Sequence, residues 1–194
     1  MTNTAKHPIT LAAGGHEDDF TGDFDTCEKC MFEAYNWLKS EKFDAQCPPG
    51  VSRVLHAMGM RLNDCLPHDT RQALVKYLPN GTDPLDGTAD DGRDETRSYM
   101  ALDWLIRTHL LRFLELSPRL AEHAAAVRGL GRIDCMERAE LAGPVVRAAG
   151  DAAWDVARDA AGAAVTEFCR PTVVILQESA LALYDAMIRG TWDE

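Results

Sequence analysis

Two short segments carry residues that bind metals or exchange electrons. Cys27-Glu-Lys-Cys30 places two thiols at the C-x-x-C separation, and Cys65-Leu-Pro-His68 repeats that separation with a thiol and an imidazole. Tetrahedral zinc takes this ligand mixture. The pattern between them suits a clip. A helix expected over 31–41 runs out, the prolines of "QCPPG" turn the chain, and a helix expected over 51–63 returns. An antiparallel hairpin of this kind brings 65–68 back beside 27–30. Four protein ligands point to structural zinc, because catalytic zinc keeps an open position. The alternative is two ordinary pairs, since the 34-residue gap between Cys30 and Cys65 matches no established zinc spacing. A redox role for Cys27 and Cys30 needs a preceding strand and an α/β setting, and neither is visible.

A second group of reactive side chains lies further along. Residues Asp83 to Glu95 hold six carboxylates and one arginine. The spacing fails the calcium-loop pattern: with Gly92 as the turn glycine, Gly87, Ala89 and Asp91 fall at the first, third and fifth positions and Ser98 at the last. The remaining readings are a linker or an acidic contact surface. Asp94, Arg97, Asp103, Trp104, Arg107 and His109 follow on one expected helix. Asp103 and Arg107 are four apart, so they pair on one face, either as a substrate-binding couple or as a structural ion pair. His109 has no partner at metal-binding spacing. His16 beside Glu17 and Asp18 reads as a chance neighbour in a tail rather than a ligand. The chain has no G-x-x-x-x-G-K-S/T, G-x-G-x-x-G or G-x-S-x-G motif, and Ser98, Ser117 and Ser179 lack a triad context.

These residues are positioned by helices. Residues 1–25 lack periodicity and read as a flexible acidic tail, with a helical domain over 26–190. A first helix starts near Asp25 or Thr26, with Glu28 three residues after Asp25. Val54, Leu55, Met58 and Leu62 form the stripe of the second, and Leu74, Val75 and Leu78 that of a short third. Asn80 to Gly92 is a turn-rich acidic loop, either mobile or functional. Asp94 caps the most apolar helix, 94–116, whose Met100, Ala101, Trp104, Leu105, Leu111 and Leu114 face one broad side. A shorter helix spans 119–128. Pro144 is expected to start another, carrying Ala149, Ala153, Val156, Ala160, Ala164 and Glu167 at helical spacing, and Pro171 to separate it from the last. Cys135 and Cys169 read as small apolar packing residues. The sum is an all-α fold: one compact bundle of six to eight helices around helix 94–116. Two halves meeting at the 80–92 loop are the other arrangement the pattern allows.

The run "GTADDGRDETRSYMALDWLIRTHLLRFLEL" and the alanine-rich "GPVVRAAGDAAWDVARDAAGAA" resemble small all-helical proteins of unassigned function encoded by actinobacteria and their phages. The likeness spans residues 31–188. It implies an intracellular helical protein, phage- or host-related, and carries over no site residue.

Composition narrows the function classes. With 20 basic and 31 acidic side chains the formal charge is −11, and no basic run is present, so direct nucleic-acid binding is not expected. No stretch reaches the roughly 20 apolar residues of a membrane span. Met1 to Gly15 shows no export pattern, so a cytoplasmic protein with its six cysteines reduced is expected. The reading is a non-catalytic protein-interaction or regulatory protein, binding another protein or itself. Its candidate contact residues are Asp90, Asp91, Asp94, Arg97, Asp103, Trp104, Arg107 and Trp154. The alternative is a small-molecule enzyme with its site near the start of helix 94–116.

Overall fold

Helices supply all the regular structure among the described residues of the computed structural model, which are 8–159 and 163–192; the side chains of 19, 157–159 and 163–168 are outside the description. The elements are α1 (Met31–Ser40), α2 (Arg53–Cys65), α3 (His68–Arg71), α4 (Asp94–Asp103), α5 (Leu111–Leu114), α6 (Ala121–Arg128), α7 (Met136–Asp159) and α8 (Ala163–Arg189). A 3-10 turn over Gln72–Tyr77 extends α3, and a π-helical segment over Trp104–Leu110 joins α4 to α5. The all-α expectation holds. The chain divides into two compact units: Met1–Asp94 with Tyr184–Gly190, and Glu95–Leu183 with Thr191–Glu194. The division falls beside the 80–92 loop.

In the first unit, α1 begins later than the sequence suggests. Its N-cap is Cys30, not Asp25 or Thr26. Cys30 Sγ accepts from the Glu33 backbone N–H, and the Glu33 carboxylate accepts from the Cys30 N–H at 2.7 Å. This is a capping box with cysteine in the usual serine position. Helix α2 is capped by Ser52 and buries Leu55, Gly59, Leu62 and Asn63. Tyr184, from the end of α8, is fully buried and donates to the Leu55 carbonyl at 3.0 Å. Its ring meets Tyr77 edge-on at 5.0 Å.

The expected flexible tail is corrected from Leu11 onward, while residues 1–7 lie outside the described residues. Leu11 is fully buried. Its backbone N–H donates to the Gln72 side-chain oxygen at 2.8 Å, and its carbonyl accepts from the Gln72 amide at 3.0 Å. Asn63 donates to the Ala12 carbonyl and accepts from the Met31 N–H. The Glu33 carboxylate also receives the His16 N–H. Phe20 and Phe24 pack against Trp37, and Phe20 stacks on Phe43. Long-range side-chain bonds thus replace the secondary structure this segment lacks.

The 80–92 loop is fastened as well. Leu85 is fully buried, Thr88 nearly so, and the Ser52 N–H donates to Thr88 Oγ1 at 2.9 Å. Asp83 accepts from the Tyr35 hydroxyl and the Lys39 ammonium, and Lys39 also reaches Asp86 at 3.2 Å.

In the second unit, Ile106, Leu114, Leu120, Ala124, Val127, Ile133, Ala142, Ala149 and Ala153 form one apolar core. Met100 and Leu114 are buried, yet Leu105 is 51% exposed, against expectation. Helical spacing accounts for it: Leu105 lies roughly 140° from Met100 and roughly 180° from Leu114 around a regular helix, while Ile106, within the π segment, is buried. Pro144 does not begin a helix but lies inside α7. The apolar stripe continues across it through Ala139, Ala142, Val145, Val146 and Ala149. Pro144 is itself exposed, so water can satisfy the carbonyl whose helical bond the ring removes. Pro171 likewise lies within α8 instead of separating two helices. The expected positions Ala160, Ala164 and Glu167 fall outside the described side chains.

Candidate functional site

The proposed zinc ligands do not converge. Cys30 is buried at the start of α1, where burial above all pushes its thiol up to about 12, and the nearby Glu33 carboxylate adds to the rise. Cys65 sits exposed at the end of α2, and His68 is exposed at the start of α3. Among the described residues no group of three or more His, Cys, Asp and Glu side chains is placed to hold a metal ion. The hairpin of α1 and α2 forms, but Cys30 turns inward to cap its helix. That orientation removes it from a clip with Cys65 and His68. No two cysteines are bonded to each other.

Cys27 and His68 do share one feature. Both line a cavity of about 510 Å³ in the first unit, along with Thr10, Leu11, Lys29 and Arg71. Burial raises the Cys27 thiol above its ordinary value, with the Lys29 charge opposing that rise.

The contact-surface candidates separate. Asp90, Asp91 and Asp94 belong to the first unit, the others to the second. Asp90 and Asp91 are exposed. Asp94 is half-buried and accepts from the Ser52 hydroxyl. Arg97 is fully buried, so its charge is not presented to a partner and its surface assignment is corrected. Asp103 accepts from Arg107 at 3.2 Å and, through the same oxygen, from the Ile133 backbone N–H at 2.8 Å. It therefore pins the segment after α6 onto α4. Trp104 donates its indole N–H to Ser179 Oγ at 2.7 Å, and its ring lies 5.5 Å from His109. These groups tie helices together, which is the ion-pair reading of Asp103 and Arg107.

Trp154 remains at the surface. It is 70% exposed, and Leu141 and Met136 on the same helix are 69% and 62% exposed. The side chains of α7 divide by burial. Ala139, Ala142, Val145, Val146, Ala149, Ala152, Ala153 and Val156 turn to the core. Met136, Leu141 and Trp154 occupy the other half, interspersed with exposed Glu137, Glu140, Asp151 and Asp155 and with Arg138 and Arg147. The helix is amphipathic, but its solvent half carries three large apolar side chains. Trp154 entered the sequence reading as an aromatic contact residue; Leu141 and Met136 escaped it, because their exposure depends on which arc of α7 the core occupies.

No described helix is long and apolar enough to cross a membrane. Comparison with known proteins found no matching family model, no similar curated protein and no similar solved structure.

Proposed function

We propose that this chain is a non-catalytic protein-interaction or regulatory protein of the cytoplasm, and that the solvent half of α7 receives another protein. The exposure of Trp154, on the helix that also exposes Leu141 and Met136, carries the reading. Tryptophan brings a large apolar area and an N–H donor to an interface, and binding energy concentrates on such residues. Among the described side chains of α7, exposed Glu137, Glu140, Asp151 and Asp155 are interspersed with them against Arg138 and Arg147, so a partner with a basic rim around an apolar pocket fits best. The formal charge of −11 repels a second copy of the chain and disfavours nucleic acid. Self-association is thus the weaker form of this reading. The enzyme alternative has less support, because Asp103 and Arg107 are engaged in structural bonds.

The experiment compares the wild-type chain with Trp154→Ala and with Leu141→Ala/Trp154→Ala as bait, followed by titration of the purified pair. A stoichiometric partner should bind the wild type and lose about 30-fold in affinity with Trp154→Ala, a cost of about 2 kcal/mol. Circular dichroism should be unchanged. Equal binding by the variants would discard the α7 surface. A wild-type dimer that dissociates on the same substitution would replace the foreign partner with a second copy.

A further inference from the structure

We infer that the cavity formed by the 10–13 stretch, the 25–29 turn and the α3 region binds a small ligand through an oxyanion group, held by Lys29 and Arg71. The cavity measures about 510 Å³, within the range of small-molecule sites. Both cations line it, and both are almost wholly buried: Lys29 is 4% exposed and Arg71 7%. Buried charges in proteins are ordinarily paired with an opposite charge, because removing them from water is expensive. Among the described residues neither has a carboxylate partner. Lys29 donates to the Cys27 carbonyl at 2.6 Å and lies 4.7 Å over the Phe24 ring. Arg71 donates from Nε to the Asn63 carbonyl and from Nη2 to the Leu66 carbonyl at 2.7 Å. Those bonds hold both side chains in place and leave Arg71 Nη1 and two of the three Lys29 N–H groups for another acceptor. Nη1 is not sealed in the interior, since His16 Nε2 is the buried side-chain nitrogen or oxygen that lacks a partner among the described residues. Two cations of like charge, both on residues that line one cavity and both held by backbone carbonyls, suit a phosphate or carboxylate oxygen.

The carboxylates at the same cavity set the rest of the ligand. Glu28 has a side chain that is 79% exposed, so water screens it, and Asp25 is half-buried. They oppose a second negative group at the mouth. The ligand is therefore a molecule with one oxyanion directed at Lys29 and Arg71 and an uncharged or cationic remainder. Cys27, also in the lining, provides a reporter.

The test titrates the full chain with inorganic phosphate and, separately, with acetate at constant ionic strength. Thermal unfolding and peptide-resolved alkylation of each cysteine are followed. The expected result is a saturable rise in unfolding temperature with at least one probe. The same probe should slow alkylation of Cys27 at least fivefold while Cys65, outside the lining, reacts as before. The probe that acts tells phosphate from carboxylate chemistry. Lys29→Met should weaken the effect at least tenfold and Lys29→Arg should retain it. Arg71 is left intact because it also holds the end of α2. No saturable shift with either probe, or protection of Cys27 that is equal in Lys29→Met, overturns the site.

Discussion

Cys30 does at the start of α1 what serine or threonine does at most helix starts. Its sulfur accepts the Glu33 N–H while the Glu33 carboxylate returns to the Cys30 N–H, with both residues fully buried. Burial is also why its thiol is displaced upward, from 9.0 to about 12. The sign follows from linkage. Below the unfolded value both states hold the proton, and the thiol's contribution is intact. As pH rises from 9.0 toward 12, the unfolded chain releases the proton first, so folding stability falls. Cys30→Ser retains the cap and has no thiol to titrate. It should change stability by about 1 kcal/mol or less at neutral pH. Near about pH 10.5 it should lose about 1–2 kcal/mol less than the wild type. Chemical unfolding at the two pH values checks this, and parallel pH curves for the two proteins would show that Cys30 is not the titrating group.

Two helix-scale features make sharper demands than composition does. Gly59 sits where α2 meets α1 and the end of α8. A Cβ there would lie 2.6 Å from the Tyr184 hydroxyl and 2.9 Å from Phe32 Cε2. Alanine is the better helix former by about 1 kcal/mol, but overpacking costs about 1–3 kcal/mol. Gly59→Ala should therefore be neutral to destabilising, by up to about 2 kcal/mol in urea unfolding. A clear stabilisation would mean that the contact relaxes freely. The stretch from Leu105 to Leu114 makes the second demand. Leu114→Ala, at a fully buried position, should cost about 2–5 kcal/mol. Leu105→Ala, at a position 51% exposed, should cost about 0.5 kcal/mol or less. Equal losses would place Leu105 in the core with Leu114. Pro144 belongs at this scale too: its exposure lets α7 run on where the residue type argues for a start.

For the molecule as a whole, charge sets the conditions under which a partner binds. A chain of formal charge −11 gains long-range attraction toward a basic partner, and that attraction is screened by salt. Association with the α7 surface should slow by about tenfold or more as salt rises from about 20 mM to about 500 mM, while dissociation changes little. Stopped-flow fluorescence of Trp154 measures both rates. A salt-independent association rate would remove the basic rim from the partner's description. On the acid side, Asp185 is a link between the turn after α3 and the end of α8. Burial tends to raise its carboxyl, but the bonds from Lys76 and Tyr77 prevail and hold it below the usual carboxylate range. Its contribution is present above the unfolded value and lost as pH falls through the depressed folded one. Asp185→Asn should accordingly narrow the difference in stability between neutral and acid pH.

The amino-acid order alone determined the all-helical character, because apolar residues recur at helical spacing and paired prolines and Asx-Gly dipeptides mark the turns. It also determined the acidic field, the lack of standard nucleotide-binding and nucleophile motifs, and the pairing of Asp103 with Arg107, all of which depend on local sequence. Only the tertiary structure decided which residues face outward. Cys30 turned inward to cap a helix, so the zinc clip lost a ligand. Arg97 went into the interior and Leu105 came out of it, because burial depends on what packs against each face. Residues 11–25 became ordered through Asn63, Gln72 and Glu33, partners far away in sequence. Lys29 and Arg71 came to share one cavity for the same reason: 41 positions separate them in the chain, and only folding brings such side chains to one place.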